Sequence, residues 1–332
     1  MSNKVMSFKN YFQVNLLARE IAGFINRGSA TTEKLAMTLR EIREVAGIKS
    51  LKSLEQSHIN QVVEKLRTSD MSLSNKNSYI SSINNIVKYL NKDDLRAIKA
   101  GEVGLSRNIA ERDGVNKENS REAALEFKEW LNQKYIETRD IRYEALKHTV
   151  NIQQAAGLRL RESLQVKLLN KDLSQNELKI SAKGDGAKNS REREIHLTQE
   201  QKAPLSEARE FLKNNKLENL NIGRIQQGRD FANNAAKEFR KETGGTGNYF
   251  HYHGERHWQA HEAYKEAWRE KGYSNIECRA RTGESKQDWQ DRIISETGLS
   301  KSEFMVGDRE IRQEISNQLG HERIEITSRY LG

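Results

Sequence analysis

The sequence predicts a mainly helical fold with one small antiparallel β-sheet, divided between two domains. Three observations lead there: 332 residues with a single proline, Pro204; apolar stripes at helical spacing along most of the chain; and one isolated strand–turn–strand pattern after residue 176. A chain of this length exceeds one small core and is about right for two. With so few breakers, long helices are favoured over a strand-rich sandwich.

In the first part, Leu35, Leu39 and Ile42 share one helix face, with a stop at Gly47. Ile59, Val62, Val63 and Leu66 form a second stripe. Tyr79, Ile80, Ile83, Ile86, Val87 and Leu90 form a third, the strongest. Polar runs such as Thr68 to Asn77 read as turns, so residues 1–91 are expected to form a domain of four or five helices. Over residues 92–119 the apolar pattern fades, which predicts a linker with room for a short helix. Residues 120–332 open with helices over Ala123–Tyr135 and Tyr143–Ala156. The segments ELKISAK and REREIHL then read as a hairpin with an oversized loop, charged from Lys188 to Glu194. Helices resume after it, with a glycine-rich break at Gly244 to Gly247.

Hydrophobic residues make up 35% and charged residues 31%, and the formal net charge is +9. Such a balance suits a polyanion, either nucleic acid or an anionic membrane. No apolar run approaches the roughly 20 residues of a spanning helix, and MSNKVMSFKNYF lacks a signal-peptide core. The expectation is a cytoplasmic protein with no membrane partner. A single cysteine, Cys278, excludes an internal disulfide and a Cys-based zinc site. The first 118 residues carry 19 basic and 13 acidic side chains, which makes the smaller part the more basic for its length. That suits a domain whose work is to grip backbone phosphates.

Four separated segments concentrate chemistry: GLRLRESL from Gly157, the lysine in SAKGDGAK, HYHGERH from His251, and LGHERIEITSRY from Leu319. Taken singly, each has an ordinary reading. Arg159 and Glu162 have the spacing of a helix-end ion pair. Tyr330, two residues before Gly332, suits packing. His251, His253, His257 and His261 invite a metal reading, but the H-E-x-x-H pattern is absent and Arg256 would repel a cation. His257 is expected to be buried, with His251 and His261 at the surface. Trp258, Trp268 and Trp289 read as core or interface.

Together and in this order, the segments resemble those of the tyrosine recombinase (phage integrase) family, the family of lambda integrase, Cre and the Xer recombinases. Arg159 and Glu162 match its Gly-Leu-Arg box; Lys183 matches its hairpin lysine, with Lys188 as the alternative. His253, Arg256 and His257 match its His-x-x-Arg-His box, and His321 and Tyr330 its Leu-Gly-His box with a tyrosine nine residues on. The resemblance covers most of residues 120–332, and the helices before it fit the family's core-binding domain in size and place.

The resemblance implies a C-shaped two-domain clamp on double-stranded DNA, with Tyr330 as nucleophile and a covalent 3′-phosphotyrosine. Arg159 and Arg256 would hold the phosphate, since guanidinium forks stay charged and donate paired hydrogen bonds. His253 would serve as base for Tyr330 and Lys183 would protonate the leaving oxygen. His321 would hydrogen-bond the phosphate, and Glu162 would orient the arginine and histidine side chains. No cofactor, metal or ATP is implied. A homo-tetramer would synapse specific recombination sites, with accessory or directionality factors, as an integrase of a bacterial mobile element or prophage. The alternatives are a type IB topoisomerase or telomere resolvase, and a catalytically idle architectural DNA-binding protein.

Two departures stand out. His253 and His321 are 68 residues apart, several tens more than the family's usual gap, with the excess around residues 264–310. This insertion is expected to be an extra helical subdomain that touches DNA or a neighbouring subunit, or a surface elaboration; Arg279 and Arg281 in it would contact phosphate. The chain also stops at Gly332, where many relatives continue into another helix, either missing by nature or removed.

Overall fold

The computed structural model describes residues 7–25, 29–105, 116–181, 184–187, 192–244, 250–321 and 323–332, with the backbone alone at 29, 30 and 225. The chain divides into two compact units, Met1–Ile109 and Ala110–Gly332. As the sequence predicts, the fold is mainly helical, with one two-stranded antiparallel sheet among the described residues.

The first unit contains α1 (Tyr11–Phe24), α2 (Ser29–Ala46), α3 (Gln56–Thr68) and α4 (Leu73–Leu90). Side-chain caps start the first and last of these: Asn10 accepts the Gln13 amide and Ser72 the Asn75 amide. The stripes at Leu35, Leu39 and Ile42, at Ile59, Val62, Val63 and Leu66, and from Tyr79 to Val87 all point into one core. Leu95 and Leu105, in the stretch read as linker, are buried in that core as well. The Asn84 side chain fixes this return by bonding both the amide (2.8 Å) and the carbonyl (2.9 Å) of Ile98.

The second unit begins with α5 (Arg121–Thr138), α6 (Ile141–Ala156) and the short α7 (Leu160–Gln165), followed by the hairpin of β1 (Glu177–Ile180) and β2 (Arg193–His196). Then come α8 (Gln199–Asn214), α9 (Ile225–Glu242) and α10 (Tyr252–Glu270). The hairpin register pairs Leu178 with Ile195 and Ile180 with Arg193. Alternation along a strand puts these four on one face, and three of them are buried apolar residues. Arg193 therefore faces inward, where a charge needs a partner. A separate aromatic core joins α5, α9 and α10, with Phe127 stacked 4.0 Å from Phe250 and edge-on to Phe239.

The insertion around 264–310 runs through the end of α10, α11 (Arg279–Thr282), α12 (Lys286–Thr297) and the first half of α13 (Lys301–Gln318); α14 (Ile324–Leu331) follows. Met305 and Val306 are exposed, but the large aromatic residues of the insertion are gathered inward. Trp268, Cys278, Trp289, Ile293 and Phe304 are buried in one cluster that also contains Tyr330 and Leu331. Trp268 stacks on Phe304 at 5.7 Å and Trp289 meets the same ring edge-on at 5.3 Å. Gly307 makes this approach tolerable, since a Cβ there would lie 2.8 Å from the Trp268 ring. The inserted residues thus build the floor beneath α14. Phe304→Ala is expected to cost about 3–5 kcal/mol, the usual price of emptying a buried phenylalanine site. Chemical denaturation checks this, and a loss below about 1 kcal/mol would contradict the packing described.

Candidate active site

Four chain-distant turns converge in the second unit. The first follows α6, which ends on Gly157 in a left-handed conformation (φ 60°). A side chain there would also collide with Gln259, 2.6 Å from where a Cβ would sit. The chain then turns into Arg159, whose amide is held by Glu162 Oε2 at 2.8 Å and whose guanidinium Nη1 donates to Glu162 Oε1 at 2.8 Å. The second is β2, where inward-facing Arg193 donates to Glu162 Oε2 at 2.7 Å and to the Gln318 carbonyl at 2.8 Å. Glu162 is fully buried between the two arginines. Burial alone would raise its carboxyl, but the Arg193 hydrogen bond and the charges of Arg193, Arg159 and Arg256 bring it down to about 2.

The third turn is the start of α10. His251 caps it, its Nδ1 accepting the Gly254 amide at 2.8 Å, and Asn119 clamps the His251 backbone on both sides. Helical spacing then stacks His253, Arg256, His257 and His261 along one side of α10. The fourth is the turn from α13 into α14, which carries His321 and Tyr330.

Arg256 joins these parts. It is fully buried, and its guanidinium donates to the carbonyls of Gly157 and Leu319, to His321 Nε2 at 3.1 Å and to the Tyr330 hydroxyl at 3.4 Å. Burial lowers it to about 10, still a cation at neutral pH. Because arginine only donates, His321 Nε2 is the acceptor, so its proton sits on Nδ1, 3.0 Å from Thr327 Oγ1. Tyr330, 7% exposed, has its hydroxyl 3.3 Å from His253 Nε2, and its ring lies stacked on His257 at 4.1 Å. Arg256 Nε donates to the phenolic oxygen, which leaves the phenolic proton directed at His253.

The charges are sharply divided. The protein crowded around His253, together with the Arg256 charge, lowers it to about 4, although part of its surface stays exposed. Burial likewise lowers His257 to about 2, and burial with the Arg256 charge lowers His321 to about 3. All three imidazoles are neutral at pH 7. Three arginines against one carboxylate leave the cluster positive, which suits an anion.

Of the residues singled out from sequence, Arg159, Glu162, His253, Arg256, His321 and Tyr330 meet here. Lys183 and its alternative Lys188 lie outside the described residues. Glu162 holds Arg159 and Arg193, and among the described residues it bonds no histidine. His261, expected at the surface, is fully buried, because it repeats the His253–His257 spacing toward α14. Arg281, expected to meet phosphate, is instead consumed by Glu118 (2.9 Å), Glu262 (2.7 Å) and Glu277 (3.2 Å). Arg193 went unrecognised; its signal was the alternation that puts it opposite Ile180.

No protein-family model matches the chain, and no curated protein sequence matches it. Its fold, however, is shared with solved structures. XerH site-specific recombinase, in a post-cleavage complex bound to palindromic difH substrate, aligns with a TM-score of 0.55 at 14% identity, over 97% of this chain and 81% of that one. The Tn1549 transposon integrase in complex with transposon right end DNA aligns with a TM-score of 0.52 at 13% identity, over 96% and 94%. The same integrase with a circular intermediate DNA gives 0.53 at 13%, over 96% and 95%. At these identities the likeness is one of fold.

The Glu162 geometry carries a stability prediction. Its folded value of about 2 lies below its ordinary 4.5, so its contribution is full above about 4.5 and is lost as pH falls through about 2. Glu162→Gln should therefore destabilise the protein by about 3–5 kcal/mol at pH 7, leaving arginines without their counter-ion. The gap to wild type should narrow as pH falls from 4.5 toward 2; a pH-independent gap in denaturation curves would contradict the assignment.

Proposed function

We propose that the protein is a site-specific DNA recombinase that cuts and rejoins DNA through a covalent 3′-phosphotyrosine at Tyr330. The observation that carries this reading is the Tyr330 hydroxyl set between a neutral acceptor, His253, and a buried cationic donor, Arg256, beside Arg159. The shared fold with XerH and the Tn1549 integrase supports it.

In the reaction, the Tyr330 oxygen attacks the scissile phosphorus while its proton passes to His253 Nε2. Neutral His253 is the right form to accept it. Negative charge grows on the non-bridging oxygens, where Arg159 and Arg256 stabilise it more than they stabilise the resting phosphate. For that, the entering phosphate takes over the Arg256 donor that now serves His321, while the Gly157 and Leu319 carbonyls keep theirs. His321 then shifts its proton from Nδ1 to Nε2, with Thr327 Oγ1 donating to Nδ1, and donates to a phosphate oxygen. The bond from phosphorus to the 5′-oxygen breaks, and that oxygen takes a proton from the general acid, a role the family resemblance assigns to Lys183. The phosphotyrosine conserves the bond, so a 5′-hydroxyl from the same or another strand can reverse the steps without ATP. Four protomers would synapse two duplex sites in an integrase of a mobile element, acting in the cytoplasm.

The test uses nicked duplexes drawn from the DNA flanking the gene, from which the cleaved fragment diffuses away. Wild type should give a slowly migrating protein–DNA band on a denaturing gel, in EDTA, and Tyr330→Phe should give none while binding the same DNA. Arg159→Ala should cut the rate by about 10²-fold or more, the usual loss when one donor to a developing oxyanion is removed. Equal adduct from wild type and Tyr330→Phe would overturn the proposal, and relaxed plasmid without recombinant product would shift it to a topoisomerase.

A further inference from the structure

The main-chain carbonyl of the proposed nucleophile is itself held by a buried side chain. His261 Nε2 lies 2.6 Å from the Tyr330 carbonyl oxygen, and Nδ1 lies 2.9 Å from Glu118 Oε2. A carbonyl oxygen can only accept. Glu118 is kept ionised by Arg281, whose Nε and Nη2 donate to it at 3.1 and 2.9 Å. His261 therefore donates from both ring nitrogens, which requires the imidazolium. It sits at the C-terminal end of α14, where unpaired carbonyls favour a positive charge.

The groups facing this imidazolium are Glu118 from the segment before α5, Cys278 from the start of α11, and the neutral His257 one turn earlier on α10. Behind Glu118, Arg281 also pairs with Glu262 and Glu277, and Glu277 pairs with Lys265 at 2.7 Å. Burial opposes the charge on His261, but nearby Cys278 and the hydrogen bonds to Glu118 and the Tyr330 carbonyl raise it to about 9. Burial likewise opposes the charge on Glu118, which the His261 and Arg281 hydrogen bonds bring down to about 2.

We infer that His261 is a positioning residue for the nucleophile: by bridging Glu118 and the Tyr330 carbonyl, it fixes where α14 presents the tyrosine hydroxyl to His253 and Arg256. This rests on the reading of Tyr330 as nucleophile. It also ties the insertion to the site, since Arg281 from α11 holds the carboxylate that orients the histidine. The His261 value is raised above its ordinary 6.5, so the link is complete below about 6.5 and lost as pH rises through about 9.

The test compares the full-length wild type with His261→Leu and Glu118→Gln in three readouts. Histidine titration by NMR should show one imidazole near pH 9, absent in His261→Leu and moved down by about a unit or more in Glu118→Gln. Amide hydrogen exchange should rise in residues 324–332 of both variants and stay unchanged in α8. On the nicked flanking duplexes, His261→Leu should slow adduct formation by about tenfold to a hundredfold with DNA affinity unchanged, since small misplacement of a reacting group costs that much. In Glu118→Gln the high-pH loss of adduct should begin about a unit lower than in wild type. No histidine titrating near 9, or wild-type exchange in residues 324–332 of both variants, would overturn the inference. If wild type formed no adduct, the recombinase reading would fail, while titration and exchange would still decide whether His261 holds α14.

Discussion

The buried guanidinium of Arg256 is the constraint on which the site depends. A charge removed from water must find partners in the protein, and Arg256 finds them in three other parts of the chain. The Gly157 and Leu319 carbonyls that it binds stand where α6 and α13 end, and helix ends leave carbonyls without intrahelical partners. One side chain thus answers two orphan acceptors and draws together the turns that carry Arg159 and His321. Without it, two buried carbonyls would face each other unpaired, each costing about 1–3 kcal/mol. Glu162 repeats the device nearby, holding Arg159 from its own turn and Arg193 from the hairpin.

From this scaffold follows a division of labour. Burial of His257 and His321, and the protein and Arg256 charge crowded around the partly exposed His253, keep all three neutral, while arginines carry the positive charge. His257, neutral and flat against the Tyr330 ring, sets the ring's plane without adding charge. His261, one turn further on, is the exception, because an ionised carboxylate and a carbonyl surround it in place of arginines. Three histidines on α10 therefore do different things, and the neighbours decide which.

Much of this was legible in the sequence. Apolar stripes located the helices of the first unit, since helical periodicity reports which face is buried whatever it packs against. The boxes around Arg159, His253, Arg256, His321 and Tyr330 carried the site, because their order and spacing marked residues that meet in space. The misread residues depend on partners far along the chain. Nothing near Arg193 announces Glu162, 31 positions earlier, and nothing near His261 announces Glu118, 143 positions earlier. Arg281 looked like a free cation for the same reason. The insertion reads as polar because its few aromatic residues are widely spaced, yet Trp268, Trp289 and Phe304 meet to support α14.

The proposed task of this assembly is to aim one oxygen atom, that of Tyr330, at a DNA phosphate. The most direct measurement is to digest the protein–DNA adduct with trypsin and nuclease and locate the nucleotide by mass spectrometry. Cleavage after Arg329 should release a peptide that begins Tyr330-Leu331-Gly332 and carries a nucleotide phosphate on the phenolic oxygen. A nucleotide on any other residue, with Tyr330 unmodified, would contradict the account.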